Sequence, residues 1–255
     1  MVPVLGPDTD ALEAALAREL LLLVHHHGDA DSVGCAIALA AAFPGARISA
    51  TDGLSAAGKV MAERLEVEIE ARPPASWDGT VVVVDTSNPE HCAPLPECNS
   101  VVVIDHHQTA GEWPAGTLLI HEPEAKSTAE IVTRLIPELG IELTPQMALP
   151  LLAGVYADTG HFRHASSDSF AVAHTLAASG NKKGQVRISS RASSAAIEAG
   201  LNLAQLLEAL ADEQDGSAGG HPGAAGFQAQ GDPDALLAMA QQGCVAQLKS
   251  LAEGA

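Results

Sequence analysis

"LLLLVHHHGDADSVG", residues 20–34, decides how this chain is read. Five hydrophobes, Leu20 to Val24, run without a break into three imidazoles and then into Asp29 and Asp31, one residue apart. Carboxylates and imidazoles at the rim of a core cost free energy unless a partner compensates them. The pattern returns twice: Val81-Val82-Val83-Val84 runs into Asp85, and Val101-Val102-Val103-Ile104 runs into Asp105-His106-His107. Short unbroken apolar runs of this kind predict strands buried on both faces, as in a parallel sheet. Helical patterns fall between them, over 32–42 with a Pro44-Gly45 stop and over 55–65. The expected class is therefore α/β, a mostly parallel sheet flanked by helices, and 255 residues leave room for a smaller companion domain.

In open parallel sheets, ligands gather outside the carboxyl ends of the strands. Three strand ends carrying Asp or His thus line one edge with polar groups. A fourth carboxylate, Asp158, closes an apolar helical pattern over 145–157 that Gly160 stops. Singly, each has a plain structural role: Asp31-Ser32 as a helix cap, Asp158 as a turn residue. Together they would repel and take up protons unless cations balanced them. Asp oxygens mixed with imidazole nitrogens, without thiolate, suit Mn²⁺ first and Mg²⁺ second. Four Asp and two His exceed what one open catalytic ion needs; they match two ions about 3.5–4 Å apart, the clamp used for hydrolysis at phosphorus.

Composition narrows the partners. Thirty-two acidic against thirteen basic residues give a net charge of −19, which disfavours gripping duplex DNA by its phosphates. The charge serves solubility, and with five lysines it also suits a salt-rich cytoplasm. Hydrophobic residues at 47% with few aromatics predict a core of Ala, Leu, Val and Ile. No apolar run reaches the ~20 residues that span a bilayer, and the N-terminus lacks a signal-peptide pattern, so a cytoplasmic protein without a membrane partner is expected. Cys35, Cys92, Cys98 and Cys244 form no CxxC pair, which argues against a structural zinc or a disulfide framework.

Four motifs in order, His25 to Ser32, Val84-Asp85-Thr86, Asp105-His106-His107 and Ala157-Asp158-Thr159-Gly160, resemble those of the DHH phosphoesterase superfamily, and Ser127-Thr128-Ala129-Glu130 resembles its Ser-Thr-Ala-Glu helix start. Near the C-terminus, Ala218-Gly219-Gly220-His221-Pro222-Gly223-Ala224-Ala225-Gly226 resembles the glycine-rich motif of the associated DHHA1 domain, with Ala218 in place of the first Gly. Val186 to Arg191 resembles that domain's strand with a phosphate-binding Arg. The stretch between Asp158 and Arg191 is short for the family, which implies an abbreviated second domain. The boundaries follow: a DHH domain over 1–178, a linker over 179–184 and a short DHHA1-like α/β substrate domain over 185–255.

The resemblance implies roles. His25 and Asp29 would hold one ion, Asp31, His106 and Asp158 the other, and Asp85 both. His107 would contact the scissile phosphate or donate a proton, with Asp105 orienting the imidazoles. Arg191, Gly219, Gly220 and His221 would grip a terminal phosphate or 3′ nucleotide, and Arg163 is placed to meet phosphate. His26 and His27 read as solvated or supporting, and His91, His121 and His174 have no pattern. The activity implied is two-ion, Mn²⁺-dependent hydrolysis of short nucleotidic substrates: short single-stranded oligoribonucleotides, or 3′-phosphoadenosine 5′-phosphate. A RecJ-type single-strand 5′→3′ exonuclease, a cyclic-dinucleotide phosphodiesterase and a non-catalytic nucleotide-binding subunit follow in that order, and a homodimer is an assembly the resemblance allows.

Overall fold

The computed structural model describes Val4, residues 9–180 and residues 185–253. The chain divides into two compact units, Met1–Gly180 and Asn181–Ala255. The first contains α1 (Thr9–Leu16), β1 (Leu20–Val24), α2 (Ala30–Ala42), β2 (Arg47–Ala50), α3 (Ala56–Arg64), β3 (Ser76–Val84), β4 (Glu97–Asp105), β5 (Leu118–His121), α4 (Thr128–Glu138), α5 (Pro145–Asp158) and α6 (Ser167–Gly180). The linker expected over 179–184 begins inside helix, because α6 continues to Gly180. The rest of it, 181–184, lies outside the described residues.

The sheet runs β2-β1-β3-β4-β5, and every pairing is parallel. All of β1 is buried, as are the last six residues of β3. One sheet face packs Leu20, Leu22, Val24, Val82, Val84, Val102 and Ile104 into the main core with α2, α4 and α5. The other packs Leu21, Leu23, Val81, Val83 and Val103 against Cys92, Trp77, Leu95 and Trp113. Two covered faces are the reason these strands are continuously apolar rather than alternating. The two short outer strands, β2 and β5, carry no such run.

Strand order fixes the site. Val24 pairs with Val84, and Val84 with Ile104, so β1, β3 and β4 end in one row. The chain leaves β1 toward β2 on one side, while β3 lies on the other. That reversal opens a crevice at the strand ends, and the next residues along are His25, Asp85 and Asp105.

The second unit holds β6 (Gln185–Arg191), α7 (Ser194–Glu198), α8 (Leu203–Glu213), β7 (Ser217–His221), β8 (Ala224–Gln230) and α9 (Pro233–Glu253). Its antiparallel sheet, ordered β6-β8-β7, buries Phe227 and Ala229 against Leu203, Leu207, Leu210 and Leu236. The Gly219-Gly220-His221 stretch belongs to a hairpin, with Pro222-Gly223 as its turn. α9 confirms the helical spacing over 233–253 and buries Leu236 and Ala240.

Candidate metal centre

Each of the six side chains expected at a metal is delivered by a strand end or a helix terminus. His25 follows β1, Asp85 follows β3, and His106 follows β4. Asp85 sits in the left-handed region at φ 63°, which an Asp tolerates better than most residues, and this turns the chain sharply off the central strand. Asp29 and Asp31 bracket the start of α2. The cap there is Asp29, not the Asp31-Ser32 pair expected from sequence: its Oδ1 accepts the amides of Asp31 at 3.0 Å and Ser32 at 3.1 Å. Asp31 is released from capping and fully buried. Asp158 is the last residue of α5.

These groups converge. His25, Asp29 and Asp85 each offer a ligand atom within 4.8 Å of the others, and so do Asp31, Asp85, His106 and Asp158. Asp85 belongs to both sets because β3 lies between β1 and β4. Its carboxylate is 3.8 Å from His25 Nε2 and 3.5 Å from His106 Nε2, which is also 3.3 Å from Asp158 Oδ2. Both imidazoles are oriented from behind: His25 Nδ1 bonds the His26 carbonyl at 2.7 Å, and His106 Nδ1 bonds that of Ala125 at 3.3 Å. With Nδ1 engaged by a carbonyl, each Nε2 is the ring atom left facing the carboxylates, the position a metal ligand needs.

A further set of partners lies in the Ser127-Thr128-Ala129-Glu130 stretch, which the sequence marks as a helix start without pointing to any contact with these carboxylates. The amides of Thr128 and Ala129, at the start of α4, donate to Asp31 Oδ2 and Oδ1 at 2.6 and 3.0 Å. Thr128 Oγ1 donates to Asp85 Oδ1 at 2.8 Å. A helix N-terminus is where a buried carboxylate is best tolerated. Even so, burial and the nearby charges of Asp85 and Asp158 hold Asp31 well above the usual carboxylate range, against those two amides. Burial also raises Asp85, opposed by the His25 hydrogen bond and helped by Asp29 and Asp158. His25 and His106 are raised too: burial works against their charge, but Asp85, with the His26 carbonyl and Asp29, outweighs it at His25, and Asp158 with Asp85 does so at His106. A cluster of acids that retains protons lacks positive charge, and its carboxylates and imidazoles could hold a metal ion that supplies it.

The remaining expected residues divide. His107 is half-exposed beside the centre, with Nδ1 on Asp105 Oδ1 at 2.7 Å, and that hydrogen bond raises it against burial. Asp105, fully buried, also accepts the His107 amide at 3.2 Å. It therefore orients His107 and leaves His106 to the Ala125 carbonyl. His121, unassigned from sequence, bonds the His107 carbonyl through Nε2 at 2.6 Å. His26 packs edge-on against His91 with ring centres 4.7 Å apart, and His27 turns away at φ 59°. Arg163 is exposed in the turn after α5, where Gly160, His161 and Phe162 are successively left-handed. In the second unit, Arg191 and His221 are both paired to Ala224, from opposite sides, so they stand in one row of the small sheet, exposed on the same face. Gly220 needs its hydrogen: at φ 150°, a Cβ there would lie 2.4 Å from the Ala224 carbonyl oxygen. At Gly219 a Cβ would meet nothing within 4 Å.

Comparison with known proteins agrees with this geometry. The profile described as "DHH family, N-terminal domain" matches residues 19–155, more than half of the chain, and that of the DHHA1 domain matches 163–245. A bifunctional oligoribonuclease and PAP phosphatase, NrnA of Thermus thermophilus, is 36% identical over 99 residues, 39% of this chain and 29% of that protein. The cyclic-di-AMP phosphodiesterase GdpP of Bacillus subtilis is 30% identical over 189 residues, 64% of this chain and 28% of its own. The chain thus spans less than a third of the length of either. Among solved structures, a putative family II inorganic pyrophosphatase of Methanococcus jannaschii aligns with TM-score 0.52 at 23% identity, covering 63% of this chain and 56% of that one. An exopolyphosphatase-related protein of Bacteroides fragilis aligns at TM-score 0.50 and 15% identity, covering 95% and 96%. At such identities these two share the fold. By its profile matches and by the motifs that line its sheet edge, the chain belongs to the DHH family, with a DHHA1 domain following the DHH domain.

Proposed function

We propose that the protein is a divalent-metal-dependent phosphoesterase of short nucleotidic substrates, with Mn²⁺ as its first ion and Mg²⁺ as the alternative. The observation that carries this reading is the position of Asp85, whose carboxylate is shared by two ligand groups on either side of the central strand. Two ions held there would lower the pKa of a bound water and draw charge from the phosphoryl oxygens. His25 and Asp29 hold the first, Asp31, His106 and Asp158 the second, and Asp85 joins them. His107, whose Nδ1–H is held by Asp105 and whose charged form that carboxylate favours, presents its Nε2–H to the scissile phosphate or its leaving oxygen. Arg191 and His221, flanking Ala224 in one row of the small sheet, bind a terminal phosphate or 3′ nucleotide with the Gly219-Gly220 backbone, and Arg163, in the first unit, is a separate phosphate contact. The guanidinium fork meets phosphate oxygens in pairs.

The substrate class is short, single-stranded and nucleotidic: oligoribonucleotides of a few residues or 3′-phosphoadenosine 5′-phosphate. A net charge of −19 and a small second unit favour little polyanion per encounter. NrnA acts within the same class, while the similarity to GdpP supports cyclic dinucleotides as the second reading. Turnover of a labelled dinucleotide, a long single strand and a cyclic dinucleotide, compared side by side with Mn²⁺, tests the choice. The dinucleotide is expected to be cleaved fastest, and preferred cleavage of either rival would overturn the assignment. Asp85→Ala is expected to lower turnover at least about 10³-fold by removing the shared ligand. Retained turnover in that variant would refute the site.

A further inference from the structure

A second group of carboxylates lies apart from the centre. Glu122, Glu124, Glu130 and Asp168 line a polar cavity of about 120 Å³ together with Arg134 and Ser166. Glu130 is 3% exposed, and its Oε1 is buried with no hydrogen-bond partner, while Oε2 accepts the Lys126 amide at 3.3 Å. A buried carboxylate oxygen without a partner is costly and calls for an explanation. The donors nearby are engaged elsewhere. Arg134 Nη2 and Nη1 donate to Glu122 at 2.6 and 3.4 Å, and its Nε donates to the Glu130 carbonyl at 3.3 Å. Ser166 Oγ is tied to Ser169 at 3.1 Å. Four acidic residues thus line the space with one arginine among them, and that arginine is paired with Glu122. Water can supply hydrogen bonds there, but not the missing positive charge.

We propose that this cavity binds a hydrated divalent cation of the Mg²⁺ type, with Glu130 Oε1 as the buried ligand and Asp168 and Glu124 closing the solvent side. Mg²⁺ keeps several waters and binds through one or two carboxylates. The volume suits that habit, since at about 30 Å³ per water it holds roughly four. The site steadies the segment 122–130 that supports the centre from behind. Ala125, which lines the cavity, accepts the His106 Nδ1 proton at 3.3 Å, and the next turn supplies the amides on Asp31. This support of the centre rests on reading the centre as a metal site; the cavity's own cation does not.

Calorimetric titration of the full chain with Mg²⁺ tests the cavity in an Asp85→Asn background, which removes the ligand common to both groups of the centre. One Mg²⁺ is expected to bind, and adding Glu130→Gln is expected to weaken it about tenfold or more. Asp168→Asn, at an exposed position that folding tolerates, is expected to weaken it by several-fold. No Mg²⁺ uptake in the background, or uptake that neither substitution changes, would mean the cavity holds water only and would overturn the proposal. Should Glu130→Gln fail to fold, the Asp168→Asn titration decides alone. Activity is not measured, so failure of the phosphoesterase reading leaves this outcome untouched.

Discussion

Thr128 does as much for the centre as a ligand would, without being one. Its amide and hydroxyl fix two different buried carboxylates, Asp31 and Asp85. Thr128→Val keeps the shape and the amide but leaves Asp85 Oδ1 without its donor. Its Mn²⁺ affinity, read by calorimetry, is expected to fall about 10- to 100-fold, as for other groups that orient metal ligands. Thr128→Ser is expected to restore most of it, which a purely packing role would not allow. The six converging side chains were legible in sequence because each terminates an apolar run or belongs to a short motif. Thr128 lies 97 residues from Asp31 in the chain, and nothing local announces that pairing. The capping of α2 was misplaced by two residues for a related reason: Asp29 and Asp31 are both good caps by type, and only the direction of the chain leaving His27 chooses between them.

At the level of elements, the centre depends on how closely α2 and α5 approach. A Cβ on Gly34 would lie 2.4 Å from the Pro150 carbonyl oxygen, and one on Gly154 would lie 2.5 Å from Asp31 Oδ1. The two helices carry Asp31 and Asp158, so their spacing sets the spacing of two of the proposed ligands. Gly34→Ala is expected to push them apart and to destabilise the fold by about 1–3 kcal/mol, as overpacking does, measured as a lower urea midpoint. Weaker Mn²⁺ binding should accompany it, since the clash is with backbone that cannot rotate away. The inner strands β1, β3 and β4 could be read directly from their valines and leucines. The outer strands β2 and β5 could not: four residues long, with at most three apolar residues in a row, they lack the longer run that signals double burial.

For the whole molecule, the centre makes stability depend on pH and on metal together. Asp31 and Asp85 are raised chiefly by burial, and His25 and His106 are raised by their carboxylate neighbours despite it. A group raised in the folded state contributes stability that is complete below its unfolded pKa and is lost as pH climbs through the folded value. The carboxylates begin that loss above their ordinary 3.8 and the imidazoles above 6.5. Without metal, the thermal midpoint is therefore expected to fall steadily between about pH 5 and about pH 8. Saturating Mn²⁺ should remove or reverse that slope, because cation binding displaces the retained protons. Scanning fluorimetry across pH, with and without chelator, reads both curves. An unchanged slope in Mn²⁺ would separate these protons from any metal.

The double duty proposed for Asp29, metal ligand and helix cap, would leave a mark that outlasts catalysis. All its side-chain bonds to the α2 start end on Oδ1, from the Asp31 and Ser32 amides and the Ser32 hydroxyl. A descendant freed from hydrolysis could drop the charge yet still must begin that helix, so Asn or Ser would replace Asp there more readily than Ala would. An Asn at this position in a sister lineage would record an enzyme that had kept its architecture after surrendering its chemistry.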